Sequence, residues 1–81
     1  MPRYTFEFIS AYCGETDFRV WRDGRDDGRL RIRGRKVFYG DGSRALAAVT
    51  QALNAYLAAE HAAAVAKYPE LTMPKFEPLE T

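Results

Sequence analysis

Through about the first forty residues apolar and polar positions alternate, and then the period changes. Tyr4, Phe6 and Phe8 are interleaved with Thr5 and Glu7, the two-residue repeat that sends alternate side chains to opposite faces of a β-strand. A strand is expected from Arg3 to about Tyr12, closed by the turn cluster Gly14-Glu15-Thr16-Asp17. Phe18-Arg19-Val20-Trp21 alternates again, with Phe18 and Val20 inward and Arg19 and Trp21 outward. Asp23-Gly24 and Asp27-Gly28 are turn dipeptides, so Asp23 to Gly28 is expected as a hairpin tip. Arg29-Leu30-Arg31-Ile32-Arg33 then alternates strictly: Leu30 and Ile32 face a core and three guanidinium groups face away. Gly34-Arg35 suits a two-residue turn into a last strand, Lys36 to Tyr39.

After Gly40-Asp41-Gly42-Ser43 the spacing becomes helical. Ser43 is the expected N-cap, because its hydroxyl can accept from the free amide donors of a first turn. Leu46, Val49, Leu53, Tyr56 and Leu57 recur at steps of three and four, an apolar stripe along one helix face. The helical signal runs from residue 44 to 67 and ends at Tyr68-Pro69, since the residue before proline is pushed out of helical geometry. Such a helix is roughly 36 Å long, while strands of five to nine residues reach about 17 to 30 Å. Its last two turns, rich in alanine, are therefore expected to overhang the sheet.

The pattern predicts an α+β fold of two layers, an antiparallel meander of three or four strands packed against one long helix. Residues 1–68 form a single domain and residues 69–81 an extended, proline-containing tail, in which Leu71 and Met73 dock and the part after Pro74 is freer. The expected core is Phe6, Phe8, Phe18, Val20, Leu30, Ile32, Leu46, Val49, Leu53, Tyr56 and Leu57.

Composition narrows the chemistry. At 81 residues, 47% hydrophobic and 28% charged, the chain has room for one domain and enough apolar content to fold. One cysteine, Cys13, excludes an internal disulfide and points to a reducing, cytoplasmic setting. Neither a signal peptide nor a membrane-spanning segment is expected. Cys13 and His61 are the sole thiol and imidazole, and nothing in the pattern brings them together, so no catalytic residue, metal site or cofactor is expected. Asp23, Asp26 and Asp27 have the hard oxygens that suit a divalent cation, but Arg22, Arg25 and Arg29 interleave with them and compete for the same carboxylates.

A net charge of +1 conceals an asymmetry: residues 1–44 carry ten Lys/Arg against seven Asp/Glu, and residues 45–81 carry two against four. The basic half holds the candidate binding face, formed by Arg19, Trp21, Arg29, Arg31 and Arg33. Tryptophan and arginine are the residue types that most often anchor protein interfaces; the same set could stack a base and meet phosphates on a single strand. A solvated surface is the third reading, with Glu7 and Asp17 pairing with the arginines and Trp21 covering their stems. A bulge near Arg22 would turn the indole inward.

The stretch Ala45-Leu46-Ala47-Ala48-Val49-Thr50-Gln51-Ala52-Leu53-Asn54-Ala55-Tyr56-Leu57, preceded by Gly40-Asp41-Gly42-Ser43, resembles the helix of HicB-type antitoxins, in which a Gly-Asp-Ser/Thr turn precedes an Ala-Leu, Ala-Leu, Tyr-Leu pattern. The match covers under a quarter of the chain, and the Pro-Asp-Leu-Pro-Gly turn of that family is absent. In size and layout the chain also looks like small phage inhibitors of bacterial defence, the anti-CRISPR proteins among them. Both resemblances imply a non-enzymatic protein that occludes a protein or nucleoprotein partner. A nucleic-acid-binding module using the same face is the alternative, and a homodimer through the Ala-rich end of the helix is a further expectation.

Overall fold

The computed structural model describes residues 2–81. Four strands, β1 (Tyr4–Tyr12), β2 (Glu15–Arg22), β3 (Arg25–Arg33) and β4 (Lys36–Tyr39), are followed by one helix, α1 (Ala47–Lys67). Each strand pairs antiparallel with the next, giving a sheet in the order β1-β2-β3-β4, and the helix lies across one face. The expected two-layer α+β meander is the architecture found.

Tight turns set the strand boundaries. Cys13 (φ 52°) and Gly14 (φ 77°) both take left-handed conformations, as do Asp23 (φ 52°) and Gly24 (φ 80°). Two successive left-handed residues form the type I′ turn whose twist matches that of the flanking strands. The first turn is therefore Cys13-Gly14, not the expected Gly14 to Asp17, and Glu15, Thr16 and Asp17 already belong to β2. The second turn is confined to Asp23-Gly24, and β3 begins at Arg25, four residues earlier than expected. Asp27-Gly28 is not a turn but a bulge: the β2–β3 register shifts between Arg19 and Trp21, with Asp27 and Gly28 together opposing Val20. A second irregularity falls at Ile9, between Phe8 and Ser10.

The helix starts later than the sequence pattern suggests. Ser43 donates its amide (2.9 Å) and its hydroxyl (2.6 Å) to Asp41 Oδ1, so it caps a local turn and not α1. Arg44 then bridges to Phe38, and the Ala45 amide donates to Val37 O at 2.9 Å. This short extension of the sheet holds residues 44–45 out of the helix. Leu46 is the N-cap, with no side-chain capping bond; its amide donates instead to the Tyr39 hydroxyl at 3.1 Å.

From the β4 side α1 crosses the sheet until Tyr56 meets Phe6 of β1, with ring centroids 5.6 Å apart. The remaining residues, Leu57 to Lys67, carry the helix about 16 Å further, leaving Val65 exposed. Phe18, Val20, Leu30, Val37, Val49 and Leu53 are the buried apolar core, with Phe6, Ile32, Tyr56 and Leu57 partly buried against it. Two expected core residues lie outside it. Phe8 is 57% exposed and Leu46 65% exposed: the ring of Phe8 rests edge-on against Phe18 beyond the cover of the helix, and Leu46 sits at the cap. Val37 and Thr50 are buried in their place.

The tail also differs from expectation. Met73 is partly buried but Leu71 is 59% exposed, and the part after Pro74 is not free: it returns along the helix, His61 Nε2 lying 2.7 Å from Pro74 O and Leu79 packing against the core.

Candidate functional site

The face of the sheet turned away from α1 is organised in rows by the strand registers. Thr5, Trp21 and Asp26 share one row; Glu7, Arg19 and Arg29 the next; Ser10, Asp17, Arg31 and Phe38 the third; Tyr12, Glu15, Arg33 and Lys36 the fourth. All five sequence-predicted binding residues, Arg19, Trp21, Arg29, Arg31 and Arg33, therefore stand on one face. The bulge adds its extra residue to β3, so Trp21 stays two residues from Arg19 on the same side of β2 and remains partly exposed.

Alternation alone accounts for this placement. Phe18, Val20, Leu30 and, partly, Ile32 are drawn to the helix, and their neighbours in sequence have no other side to occupy.

Much of the positive charge is answered by acids on β2 and at the start of β3. Arg31 Nε lies 3.0 Å from Asp17 Oδ1 and 3.2 Å from Glu15 Oε2, and Arg33 Nε lies 3.0 Å from Glu15 Oε1. Arg19 is ion-paired with Asp26. The hydrogen bond from Arg31 holds the Asp17 carboxyl below the ordinary aspartate range, helped by the charges of Arg31 and Arg29 and opposed by partial desolvation. The Asp26 carboxyl is lowered as well, first by the Gly28 amide (2.9 Å) and then by Arg19. Of the acids expected to neutralise this face, Asp17 does so; Glu7 stands opposite Arg19 without an ion pair among the described residues. Glu15 and Asp26, which the turn pattern had assigned to loops, take that part.

One feature of the face resists neutralisation. Arg19 and Arg29 are directly opposed across β2 and β3, an arrangement that costs stability because like charges face each other at short range. Arg19 turns to Asp26, and Arg29 is left without an ion pair among the described residues. Arg29 borders a shallow hollow of about 260 Å³, shared with Asp17, Arg31, Arg33, Phe38 and Gly42. Phe38 is flanked by two guanidinium groups, Arg33 at 5.9 Å and Arg44 at 5.6 Å from its centroid, within the reach of cation–π attraction. Phe38, Lys36 and Arg44 extend the basic face beyond the sequence-predicted set. The signal for Phe38 was present in its alternation with Val37 and Tyr39.

At the other end of the sheet Arg22, Asp23, Arg25, Asp26 and Asp27 line an open hollow. Asp23 accepts the Arg3 amide at 2.9 Å and Asp26 is engaged by Arg19 and Gly28. Among the described residues no cluster of three His, Cys, Asp or Glu side chains is arranged to hold a metal ion. Nor, among them, is any helix long and apolar enough to cross a membrane.

Comparison with family models, with curated proteins and with solved structures gives no match to this chain.

Proposed function

We propose that this protein is a non-catalytic binding protein that occludes an acidic surface of a protein partner with the outer face of its sheet. Trp21 and Arg29 are its anchors, with Arg19, Arg31 and Arg33 around them. The observation that carries the reading is the opposed pair Arg19 and Arg29. Asp26 already engages Arg19, so the charge left to answer is that of Arg29, and an incoming carboxylate would supply the partner it lacks among the described residues. The interspersed Glu15, Asp17 and Asp26 favour a protein surface over a nucleic acid, because they would repel a run of phosphates yet can meet basic residues on a mixed surface. An inhibitor of the anti-CRISPR kind from a phage or mobile element, or an antitoxin of the HicB kind, acts by such occlusion.

The test is retention from a bacterial lysate by tagged wild type and by a Trp21→Ala/Arg29→Glu variant, with and without nuclease. Arg29 is preferred to Arg31 because, among the described residues, it holds no ion pair whose loss would disturb the sheet. The expected result is a protein that survives nuclease and whose affinity falls at least about 30-fold in the variant, the loss of one strong anchor. Retention that nuclease abolishes would replace the reading with nucleic-acid binding, and equal retention by the variant would move the site off this face.

A further inference from the structure

The segment after α1 is held in two unequal parts. Between Pro69 and Met73 the hydrogen bond found among the described residues is Leu71 N–H to Tyr68 O, 3.1 Å. From Pro78 to Glu80, by contrast, the backbone is matched group by group. Arg35 donates through Nε (3.2 Å) and Nη2 (3.0 Å) to Pro78 O. The Asn54 carboxamide accepts Leu79 N–H at Oδ1 (2.7 Å) and donates through Nδ2 to Leu79 O (3.1 Å). Glu80 N–H donates to Arg35 O at 2.6 Å. Pro78 has no amide hydrogen to leave unpaired, and the Leu79 side chain reaches the core cluster.

This is how a folded domain takes up an extended peptide: main-chain hydrogen bonds supply the hold and an apolar pocket selects one side chain. Pro74 O and the Phe76 ring also meet His61, but none of the contacts of residues 78–80 requires that Pro78 be joined through that span to the same helix. We propose that the groove between Asn54 on α1 and Arg35 in the β3–β4 turn is a receptor for an extended Pro-Leu-Glu segment. Its occupant in trans is the corresponding segment of a second copy, exchanged reciprocally. The occupant is identified by the structure itself, since the residues that fill the groove are residues 78–80 of this sequence. Exchange creates no new contact, so concentration and linker length decide it. A short linker presents its own segment at an effective concentration of about millimolar, and the closed monomer prevails below that. The groove lies on the helix side of the sheet, and the inference goes beyond the outer-face reading without resting on it.

Geometry supplies the test. Asn54 and Lys67 are thirteen helical positions apart in sequence, about 20 Å at 1.5 Å per residue. Removing residues 69–77 leaves three residue steps from Lys67 to Leu79, which span about 10–11 Å at most, short of that separation even when the reach of the Asn54 side chain is allowed for. The shortened chain cannot fill its own groove. Its mass, measured by light scattering, is expected to be twice that of the chain, and adding Leu79→Asp is expected to return it to one. A folded monomer from the shortened chain, or a dimer that persists with Leu79→Asp, overturns the proposal. Where the shortened chain does not fold, wild type heated and cooled near millimolar concentration serves instead. Dimers that survive dilution, and are missing from Leu79→Asp, support exchange; their absence from wild type overturns it.

Discussion

Asp17 shows how a single carboxylate ties the outer face together. Its strand places it opposite Arg31, its side chain is 17% exposed, and the guanidinium holds its pKa below the ordinary 3.8. A carboxyl whose pKa is lower folded than unfolded stabilises the fold above the unfolded value and loses that contribution as pH falls through the folded one. Asp26 and Asp41 are shifted in the same direction, so acid is expected to weaken the protein below about pH 4. Asp17→Asn is expected to cost about 0.5–1 kcal/mol near neutral pH, the upper range for a partly exposed pair. Urea denaturation of both proteins checks this: the difference should shrink steadily as pH falls below the ordinary aspartate value and the wild-type carboxyl takes up its proton. A difference that persists unchanged there would mean that packing, not charge, makes the contribution.

At the scale of elements the bulge in β3 is the most exacting feature. Gly28 adopts φ 101°, a conformation that side chains strain to enter, although no atom lies within 4 Å of where a Cβ would stand. Gly28→Ala is therefore expected to lower stability by about 1 kcal/mol or more through backbone strain alone. A lowered urea midpoint, with the emission of nearby Trp21 unchanged in the native state, is the outcome that fits. The same glycine explains a limit of the sequence pattern. Asp-Gly suits a turn and a bulge equally, because both need a left-handed residue, and alternation cannot tell which is used. Alternation did suffice for the meander, for the outward placement of Arg19, Trp21, Arg29, Arg31 and Arg33, and for the helix stripe from Val49 to Leu57. The acids that answer the arginines were harder to find, since which residues oppose depends on where the turn falls. Shifting that turn to Cys13-Gly14 is what puts Glu15 and Asp17 beside Arg33 and Arg31. Ser43 misled because Asp41 captures it first, and Leu79 lies in a segment with no period to read.

Taken as a whole, the molecule divides its tasks between the sheet's two faces: one buries a thin apolar core under α1, the other carries opposed guanidinium groups to solvent. The order β1-β2-β3-β4 also bears on time. Because every strand joins the one before it through a tight turn, the sheet can zip without first closing a long loop. Small domains dominated by such local contacts fold within about milliseconds. Distant parts of the chain meet where α1 packs on the sheet, as Tyr56 does on Phe6 and Phe18, and again in the returning segment, where Asn54 with Leu79 and Arg35 with Pro78 join residues 25 and 43 apart. In stopped-flow refolding, Trp21 fluorescence is expected to recover in one fast phase whose rate is unchanged by Asn54→Ala, while that variant unfolds faster. The returning segment then acts as a brake on unfolding, fastened after the race to the native sheet has been run.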